Sequence, residues 1–362
     1  MLKTLEWTGD SLRMIDQTRL PLERVDVLIG TPEQMHDAIR RLVVRGAPAI
    51  GIAAAFGVYL GIRDSSGGSF VSDLNRVCEF LATSRPTAVN LFWAIERIRR
   101  LGLSVAVTPG LPATPDMAQI KQRILDECLA MIDQDNAICR RIGEKGLELL
   151  QQHPPAGGVY NILTHCNAGG LATAQFGTAL APIYVGAEQG VKFHVFVDET
   201  RPLLQGARIT AMELMANRID CTLVCDNMAA MVFSRFKVDA VIVGTDRVAA
   251  NGDVANKIGT HSLAIIAKRF GIPFYVAAPI SSIDLTIADG SAIPVEERGD
   301  EEITEYFGRR TAPRGVRCFN PAFDVTPNEL VTALISESGV IRAPYQKTIS
   351  CLLRPQRALV AR

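Results

Sequence analysis

The sequence predicts an α/β protein with a mainly helical N-terminal domain, residues 1–150, and a parallel-sheet C-terminal domain, residues 151–362. Three observations support this prediction. The chain of 362 residues is longer than one hydrophobic core usually serves. Residues 20–150 carry helical spacing and helix-start signals. Beyond them, short β-branched runs alternate with helix-length segments.

Composition excludes several classes of protein. Lys and Arg together number 38, as do Asp and Glu, so no net charge attracts nucleic acid or an anionic membrane. The longest apolar run, Ala47 to Leu60, is interrupted by Pro48 and falls short of the roughly 20 residues of a membrane span. The first residues lack the apolar stretch and cleavage site of a signal peptide. We therefore expect a cytoplasmic protein with no nucleic-acid partner and no membrane contact.

The cysteines predict neither a disulfide framework nor a metal site. Eight of them in a chain of this length are too sparse for a disulfide scaffold. Cys221 and Cys225 would share one face of a strand, but no second Cys or His pair follows at ligand spacing.

Helix signals dominate the N-terminal part. Thr31 is a good cap for a helix that begins at Pro32, and Pro86 with Thr87 opens a second helix that runs through Arg100. Residues 104–117 are rich in Pro and Thr and predict an exposed loop. Apolar spacing then predicts a long helix over 118–150, and the Pro- and Gly-rich segment 151–158 marks the domain boundary.

Five β-branched runs predict the strands of the C-terminal domain: VYNILTH, KFHVFVD, CTLVCD, AVIVGTD and PFYVAAP. Helix-length segments separate them, at 170–182, 202–217, 228–236 and 258–270. Near-continuous apolar strands in such βαβ units indicate a parallel sheet that is covered on both faces.

Polar residues cluster immediately after four of these strands, as His165-Cys166-Asn167, Asp198-Glu199-Thr200, Asp226-Asn227 and Thr245-Asp246-Arg247. In open α/β sheets, ligands bind at the carboxyl ends of the strands. The four clusters therefore predict a single ligand-binding crevice.

Two residues of these clusters are candidates for chemistry. Cys166 precedes Gly169 and Gly170, which we expect to open a helix whose N-terminus would favour the thiolate. A buried structural Cys beside a glycine turn is the alternative. Asp246 could serve as a general acid if the crevice raises its pKa, or it could cap a helix or bind a ribose. His165 points to the other side of its strand, so its adjacency to Cys166 does not make a Cys–His pair.

Further polar groups surround these candidates. Asn251 and Asp253 form a turn signature with the glycine between them, so we expect a structural role for Asp253. Asn256 and Lys257 offer an amide and a cation to sugar oxygens, and an exposed helix start is the competing interpretation.

Two arginines of the helical domain favour an anionic ligand such as phosphate. Arg45 and Gly46 precede Pro48, and Arg85 precedes Pro86, so each guanidinium stands beside a helix start. Arg has the fork geometry that binds phosphate bidentately. No Walker A pattern, no G-x-G-x-x-G after a strand and no nucleophile elbow is present in the sequence.

Taken together, these segments resemble the methylthioribose-1-phosphate isomerases of methionine salvage. The matching segments run in order through both domains: RGAPAIG at 45–51, RPTAVNL at 85–91, THCNAG at 164–169, ETRPLLQGARITA at 199–211, DNMAA at 226–230, GTDRVAANGDVANKIGT at 244–260 and FNPAFDVTP at 319–327. The resemblance implies a helical N-terminal domain, a Rossmann-like C-terminal domain and a homodimer. It also implies aldose–ketose isomerisation of a small sugar phosphate.

The resemblance implies roles residue by residue. Cys166 and Asp246 match the catalytic Cys and Asp of the family. The substrate-contacting positions correspond to Arg45, Gly46, Ala47, Arg85, Gln205, Asn256 and Lys257. No metal and no cofactor are implied. Thr245 stands where Ala is usual and His261 where Tyr is common, which leaves the substituent at sugar C5 open.

Two kinds of alternative follow from the same resemblance. Isomerases of 5-deoxyribose 1-phosphate or ribose 1,5-bisphosphate share the fold and the Cys/Asp pair. The related regulatory subunits of a translation initiation factor's exchange complex are binding proteins without the full catalytic set, which this chain retains.

Overall fold

The computed structural model describes residues 2–85, 88–106 and 116–360. The chain forms two compact units, Met1–Ile138 with Gly169–Gly177 and Cys139–Ala168 with Thr178–Arg362. The division falls inside a long helix, whereas composition places a domain boundary at 151–158, after that helix. The boundary near residue 150 is predicted to separate two domains that fold independently, and in that sense it stays a prediction.

The first unit opens with a small antiparallel sheet and continues as helices. Its strands are β1 (Leu5–Trp7), β2 (Leu12–Ile15) and β3 (Asp26–Ile29). Its helices are α1 (Pro32–Arg40), α2 (Ala47–Ile62), α3 (Phe70–Ala82), α4 (Val89–Ala106) and the first part of α5 (Met117–Leu150). The cap at Thr31 is confirmed, because its hydroxyl oxygen accepts the Gln34 N–H at 3.2 Å. The sheet was not predicted.

Helix α2 forms the centre of the first unit's hydrophobic core. It is apolar on all sides and buried along most of its length, which is typical of a core helix. A Cβ on Gly61 would lie 2.6 Å from the Val77 side chain, and one on Gly57 would lie 2.8 Å from Met35, so neighbouring helices approach closely there. Within the described ranges, none of the helices has the length and apolar character of a membrane span.

Helices α4 and α5 test the rest of the N-terminal prediction. Helix α5 confirms the helix predicted over 118–150. Helix α4 continues to Ala106, past the expected end at Arg100 and into the predicted loop. Pro86 and Thr87, predicted to open this helix, and residues 107–115 lie outside the described residues.

The second unit is built on a seven-stranded sheet. Its strands are β4 (Val159–Thr164), β5 (Lys192–Asp198), β6 (Asp220–Val224), β7 (Ala240–Val243), β10 (Phe274–Ala277), β15 (Ala333–Ser336) and β16 (Gly339–Ile341). They are ordered β16-β15-β10-β7-β4-β5-β6, and all pair in parallel except β16. The five predicted strands are confirmed, as is the α/β class with a helical N-terminal part.

The helices of the second unit agree less closely with prediction. They are α6 (Ala181–Glu188), α7 (Ala211–Ala216), α8 (Ala229–Arg235), α9 (Thr260–Phe270), α10 (Glu301–Thr304) and α11 (Tyr345–Val360). The helix predicted over 170–182 is wrong: Gly170–Ala172 is a single 3-10 turn, and α6 begins where Pro182 favours a helix start. One π-helical turn, Gly206–Thr210, precedes α7.

A second, four-stranded sheet adjoins the strand ends of this unit. Its members are β8 (Arg247–Ala249), β9 (Val254–Lys257), β11 (Ile283–Asp284) and β14 (Phe323–Thr326), in the order β11-β8-β9-β14. A short ribbon, β12 (Glu305–Tyr306) with β13 (Arg309–Arg310), completes the strands of the described chain.

Asp253 organises the turn between β8 and β9. Its carboxylate accepts hydrogen bonds from the Asn251 amide at 2.8 Å, from the Gly290 N–H at 2.9 Å and from the Asn328 N–H at 2.8 Å. Burial alone raises the pKa of Asp253, but these hydrogen bonds outweigh it and hold the pKa below its usual value. The structural role expected for Asp253 is thereby confirmed.

The lowered pKa of Asp253 makes its contribution to stability dependent on pH. A carboxylate with a depressed folded-state pKa stabilises the protein above its unfolded pKa, near 3.9, and loses that contribution as the pH falls through the folded pKa. We expect Asp253→Asn to lower the thermal midpoint at pH 7 and the gap from wild type to narrow below about pH 4. Thermal unfolding between pH 3 and 7 measures this, and a gap independent of pH would contradict it.

Candidate active site

The strand order of the large sheet places Cys166 and Asp246 at its point of reversal. Strand β4 pairs with β5 on one side and with β7 on the other, so the chain leaves β4 in one direction and returns on the opposite side. Ligands of open α/β sheets bind at this switch point. Cys166 follows the end of β4 and Asp246 follows the end of β7, and neighbouring strands lie about 4.8 Å apart. The topology thus brings the two predicted reacting residues to the carboxyl ends of two neighbouring strands.

The backbone of Cys166 is held in an unusual conformation. Its φ of 63° lies in the left-handed region, which costs an ordinary residue about 1–2 kcal/mol. The Cys166 N–H donates to the Thr200 hydroxyl oxygen at 2.8 Å, and the Thr210 hydroxyl donates to the Cys166 carbonyl at 2.6 Å. Thr200 itself donates to the Asp198 carbonyl at 3.0 Å. Two threonines therefore fix this strained residue, as is common at functional sites.

The expected source of thiolate stabilisation is absent. Because Gly170–Ala172 is a three-residue turn, no helix dipole of useful length starts there, and the prediction that a helix N-terminus activates Cys166 is wrong. The residue is half-buried rather than sealed in the core.

His165 is anchored away from the thiol. Its Nδ1 lies 3.0 Å from a carboxylate oxygen of Asp198, and its Nε2 lies 2.8 Å from the Ile258 carbonyl. The carbonyl can only accept, so Nε2 carries a proton. Both ring nitrogens are engaged by these partners, in agreement with the expectation that His165 is not the base for Cys166.

The His165–Asp198 pair is buried and coupled. Burial is the largest influence on His165 and by itself lowers its pKa. The hydrogen bond and charge of Asp198, with the charge of Asp226, outweigh burial and raise the pKa of His165. Burial also raises the pKa of Asp198, more than His165 lowers it. The two groups therefore titrate as one unit.

Asn167 extends the polar network on the other side of Cys166. Its amide donates to a buried Glu213 carboxylate oxygen at 2.7 Å and to the Thr210 hydroxyl at 3.1 Å. The residues that flank Cys166 thus tie its loop to three different segments of the second unit.

Asp246, Asn256 and Lys257 belong to one hairpin. The Asp246 N–H donates to the Ala255 carbonyl at 3.0 Å, and the pairing of Arg247 with Ala255, continued by one position, sets Asp246 opposite Asn256. Asn256 and Lys257 are both buried on β9, which overturns the alternative of an exposed helix start.

The side chains on β9 have defined partners. The Asn256 amide donates to Thr260 at 3.0 Å, and the Lys257 ammonium donates to the Ala322 carbonyl at 2.9 Å. The same ammonium lies 5.0 Å from the centre of the Phe323 ring, a cation–π distance. A buried cation held this way offers a fixed positive charge to a ligand oxygen.

The two departures from the family pattern are accommodated locally. The Thr245 hydroxyl lies 3.1 Å from the Arg247 and Ala255 carbonyls, so the hairpin satisfies it. The backbone N–H of His261 donates to Asp324, which also accepts the Gly259 N–H at 2.8 Å. Asp324, from the last matching motif, therefore caps helix α9 beside the site.

Gln205 has a buried polar side-chain atom that is suited to accept a hydrogen bond from a ligand. The residue is 6% exposed, and its Oε1 has no hydrogen-bond partner among the described residues. A buried acceptor left unsatisfied costs about 1–3 kcal/mol, and a ligand hydroxyl would relieve this cost. A Cβ on the next residue, Gly206, would lie 1.7 Å from the Asp198 carbonyl, so only glycine fits there.

The remaining predicted residues lie in the first unit. Gly46 precedes helix α2 with a φ of 90°, and a Cβ there would lie 2.4 Å from the Ala172 carbonyl oxygen. Ala47 begins the helix, and the first N–H groups of a helix have no partner within it, which makes a helix start suited to an anion. Arg45 and Arg85 are half-buried. Helix α4 begins at Val89, four residues after Arg85.

Thr200, Thr210, Glu213 and Asp324 were not among the predicted site residues. Thr200, Thr210 and Asp324 lie in segments that the motifs contain, whereas Glu213 lies two residues past the end of ETRPLLQGARITA. Thr200 also stands in one of the four strand-end clusters. The signal was their presence in or beside these segments, but which of them would reach Cys166 depends on long-range contacts.

The fold and the candidate site define an α/β protein with a mostly parallel sheet and a cluster of polar side chains at its switch point. The chain belongs to the initiation factor 2 subunit family, whose model matches residues 43–343. Its relatives include the 5-deoxyribose 1-phosphate isomerase of Moorella thermoacetica, 53% identical over 352 residues that cover 96% of this chain and 97% of the relative. The methylthioribose-1-phosphate isomerase of Thermotoga maritima is 49% identical over 97% of this chain and 98% of its own length.

Two solved structures also match this chain over nearly its whole length. The 5-methylthioribose 1-phosphate isomerase of Pyrococcus horikoshii matches with a TM-score of 0.89 at 41% identity, covering 98% of this chain and 96% of that one. A protein of A. fulgidus described as subunit delta of translation initiation factor eIF-2B matches with a TM-score of 0.84 at 41% identity, over 98% and 100% of the two chains.

Thr200→Val tests the support of Cys166. Valine keeps the shape of threonine but cannot accept the Cys166 N–H, which is left unsatisfied at a cost of about 1–3 kcal/mol in unfolding free energy. We expect that loss in chemical denaturation, with Thr200→Ser, which retains the hydroxyl, close to wild type. Equal stability of the Val and Ser variants would contradict the assignment.

Proposed function

We propose that this protein is an aldose–ketose isomerase that converts 5-methylthioribose 1-phosphate into 5-methylthioribulose 1-phosphate in methionine salvage. The observation that carries the proposal is the placement of Cys166 and Asp246 after two adjacent strands at the sheet's point of reversal. Relatives named as isomerases of such sugar phosphates, about half identical over nearly the whole chain, support it.

The chemistry of the substrate explains the need for an acid. A sugar phosphorylated at C1 is a locked acetal, so its ring does not open spontaneously to an aldehyde. The enzyme must protonate the ring oxygen, open the ring without losing the phosphate and move hydrogen from C2 to C1. In our proposal Asp246 supplies the proton to the ring oxygen.

Cys166 then acts on the opened sugar. It either relays the C2 proton to C1 through an enediol phosphate or stabilises a direct hydride shift from C2 to C1. Both routes conserve atoms and electrons within the substrate, so the proposed reaction requires neither a metal nor a redox cofactor. The fixed backbone of Cys166 supports either role, because proton transfer depends on a closely held geometry.

The other predicted residues bind the substrate in this proposal. Arg45 and Arg85, with the helix start at Gly46 and Ala47, hold the phosphate. Gln205, Asn256 and Lys257 bind the sugar hydroxyls, and the unsatisfied Oε1 of Gln205 supports its share of this role. We further propose that the enzyme is cytoplasmic and works as a homodimer.

5-Deoxyribose 1-phosphate is a second candidate substrate, because the 53% identical relative of Moorella thermoacetica is named for it. Both sugars are uncharged at C5, whereas ribose 1,5-bisphosphate would require additional cations there. A binding role without catalysis is the remaining candidate, and the A. fulgidus protein described as a translation-factor subunit is the similarity that raises it.

A comparison of three substrates tests the proposal. Purified protein is incubated with methylthioribose 1-phosphate, 5-deoxyribose 1-phosphate and ribose 1,5-bisphosphate, and ketose formation is followed. We expect the highest kcat/KM with the methylthio sugar and the lowest with the bisphosphate. No ketose from any of them would refute the isomerase function.

Removal of either reacting group should abolish most of the turnover. We expect Cys166→Ala and Asp246→Asn each to lower kcat at least about 100-fold, the low end for a positioned proton-transfer group. Circular dichroism and thermal unfolding confirm folding. Near-normal rates in a folded variant would rule out that residue's catalytic role.

Deuterated water distinguishes the two routes for hydrogen. An enediol intermediate exposes the migrating proton to exchange, so deuterium at C1 of the product supports the proton relay. A hydride shift moves the C2 hydrogen directly to C1 and leaves no deuterium there. A proton relay that is fully shielded from solvent gives the same result. We measure the label at C1 by NMR after partial conversion.

A further inference from the structure

His165 joins three segments of the candidate site although it is assigned no chemical role. It immediately precedes Cys166, and its ring contacts Asp198 at the end of β5 and the Ile258 carbonyl after β9. Ile258 directly follows Asn256 and Lys257, while Asp198 begins the loop that carries Thr200 and Gln205. One imidazole therefore connects the thiol-bearing loop with both groups of proposed sugar-binding residues.

The contacts of the ring leave it little freedom. The His165 side chain is 1% exposed, and a Cβ on Gly259 would lie 2.9 Å from its ring. The Asp198 carboxylate oxygen Oδ1 has no hydrogen-bond partner among the described residues. The bond to His165 is thus the only hydrogen bond that the structure shows for this carboxylate.

A second carboxylate, that of Asp226, reinforces the arrangement. Asp226 lies 4.0 Å from the His165 ring and accepts the backbone N–H groups of Thr200 and Arg201, at 2.8 and 2.6 Å. The loop whose Thr200 hydroxyl accepts the Cys166 N–H is therefore itself fixed by Asp226, a strand-end residue next to His165.

We propose that His165, held by Asp198, is a positioning residue that keeps the Cys166 thiol in a fixed position relative to Asn256 and Lys257. The inference rests on the proposed function for its effect on turnover, but not for its effect on the thiol. Two buried hydrogen bonds, one at each ring nitrogen, fix the orientation of the ring. Loss of either bond allows the Cys166 loop to shift relative to β9.

The chain contains a matched control pair. His194 and Asp220 form a second His–Asp contact, at 2.7 Å, between β5 and β6 of the same sheet. This pair lies toward the starts of those strands, and the Asp220 side chain is 78% exposed. His194→Asn therefore removes a similar contact without touching the candidate site.

The first readout is catalytic. We expect His165→Ala to lower kcat about 10- to 100-fold, a loss typical of small misplacements, while KM changes less than kcat. His165→Asn retains an amide near the Nδ1 position and His165→Gln one near the Nε2 position, so each should restore part of the loss. His194→Asn should equal wild type. A merely structural role would lower the thermal midpoint but leave kcat per folded molecule unchanged, and that result would overturn the proposal.

The second readout does not need turnover. Alkylation of Cys166 by iodoacetamide, followed by peptide mass spectrometry, reports the environment of the thiol, and the exposed Cys351 serves as internal reference. We expect at least about fivefold faster alkylation of Cys166 in His165→Ala, since the half-buried loop is released, and no change in His194→Asn. Unchanged alkylation of Cys166 would overturn the proposal even if the protein proves to be no isomerase.

A third measurement separates positioning from metal binding. His165, Asp198 and Asp226 have ligand atoms close enough to hold a cation. Turnover that chelation abolishes and a divalent metal restores would overturn the positioning role, because the cluster would then be a metal site. Turnover and alkylation unaffected by chelation support it.

Discussion

The pairing of β4 with both β5 and β7 is the constraint on which the rest of the second unit depends. Strand β4 is buried at Ile162 and Leu163, so water does not compete with its ladders. Since the chain departs from β4 toward β5 and resumes on the other side at β7, the connections leave the two strand ends in different directions. In open α/β sheets, the point at which such connections separate is where the ligand-binding crevice forms. The loops after β4 and β7 face it, and they deliver the thiol and the carboxylate.

Most of the polar groups at these strand ends are hydrogen-bonded to one another. Burial of a charge is costly unless it is paired, and burial of an amide is costly unless it is hydrogen-bonded. His165 and Asp198 meet that condition together, as do Asn167 and Glu213. The strain of the left-handed Cys166 is likewise offset by bonds at both its N–H and its carbonyl. The rigidity of the loop therefore comes from a connected network rather than from apolar packing.

The sequence predicted what depends on local pattern. Continuous β-branched runs identified five strands, and their polar ends indicated where a ligand would bind. Strands β1, β2 and β3 are only 3 or 4 residues long and carry too little pattern to be recognised. The helix expected at 170–182 rested on its length between two strands and on the glycines before it, whereas the helix begins at Ala181, beside the start signal of Pro182.

The network around Cys166 was also not predictable from the sequence, but for a different reason. Thr200 is 34 residues from Cys166, and Ile258 is 93 residues from His165. Local patterns do not record which distant side chain satisfies which donor, since that depends on the assembled sheet. The absence of a helix dipole at Cys166 has the same origin, because glycines that suggested a helix start form a turn instead.

Family membership alone does not decide between catalysis and regulation, since structural neighbours at 41% identity carry both descriptions. The site itself favours catalysis. Replacing a buried charged or polar pair by apolar residues is often neutral or stabilising, so stability alone gives no reason for a buried pair such as His165–Asp198. An unsatisfied amide oxygen at Gln205 likewise lowers stability unless a ligand completes it. Strain at Cys166, the buried His165–Asp198 pair beside it and the incomplete acceptor at Gln205 all belong to the second unit. Each is consistent with the proposed isomerase, whose polar substrate must be held still while hydrogen moves.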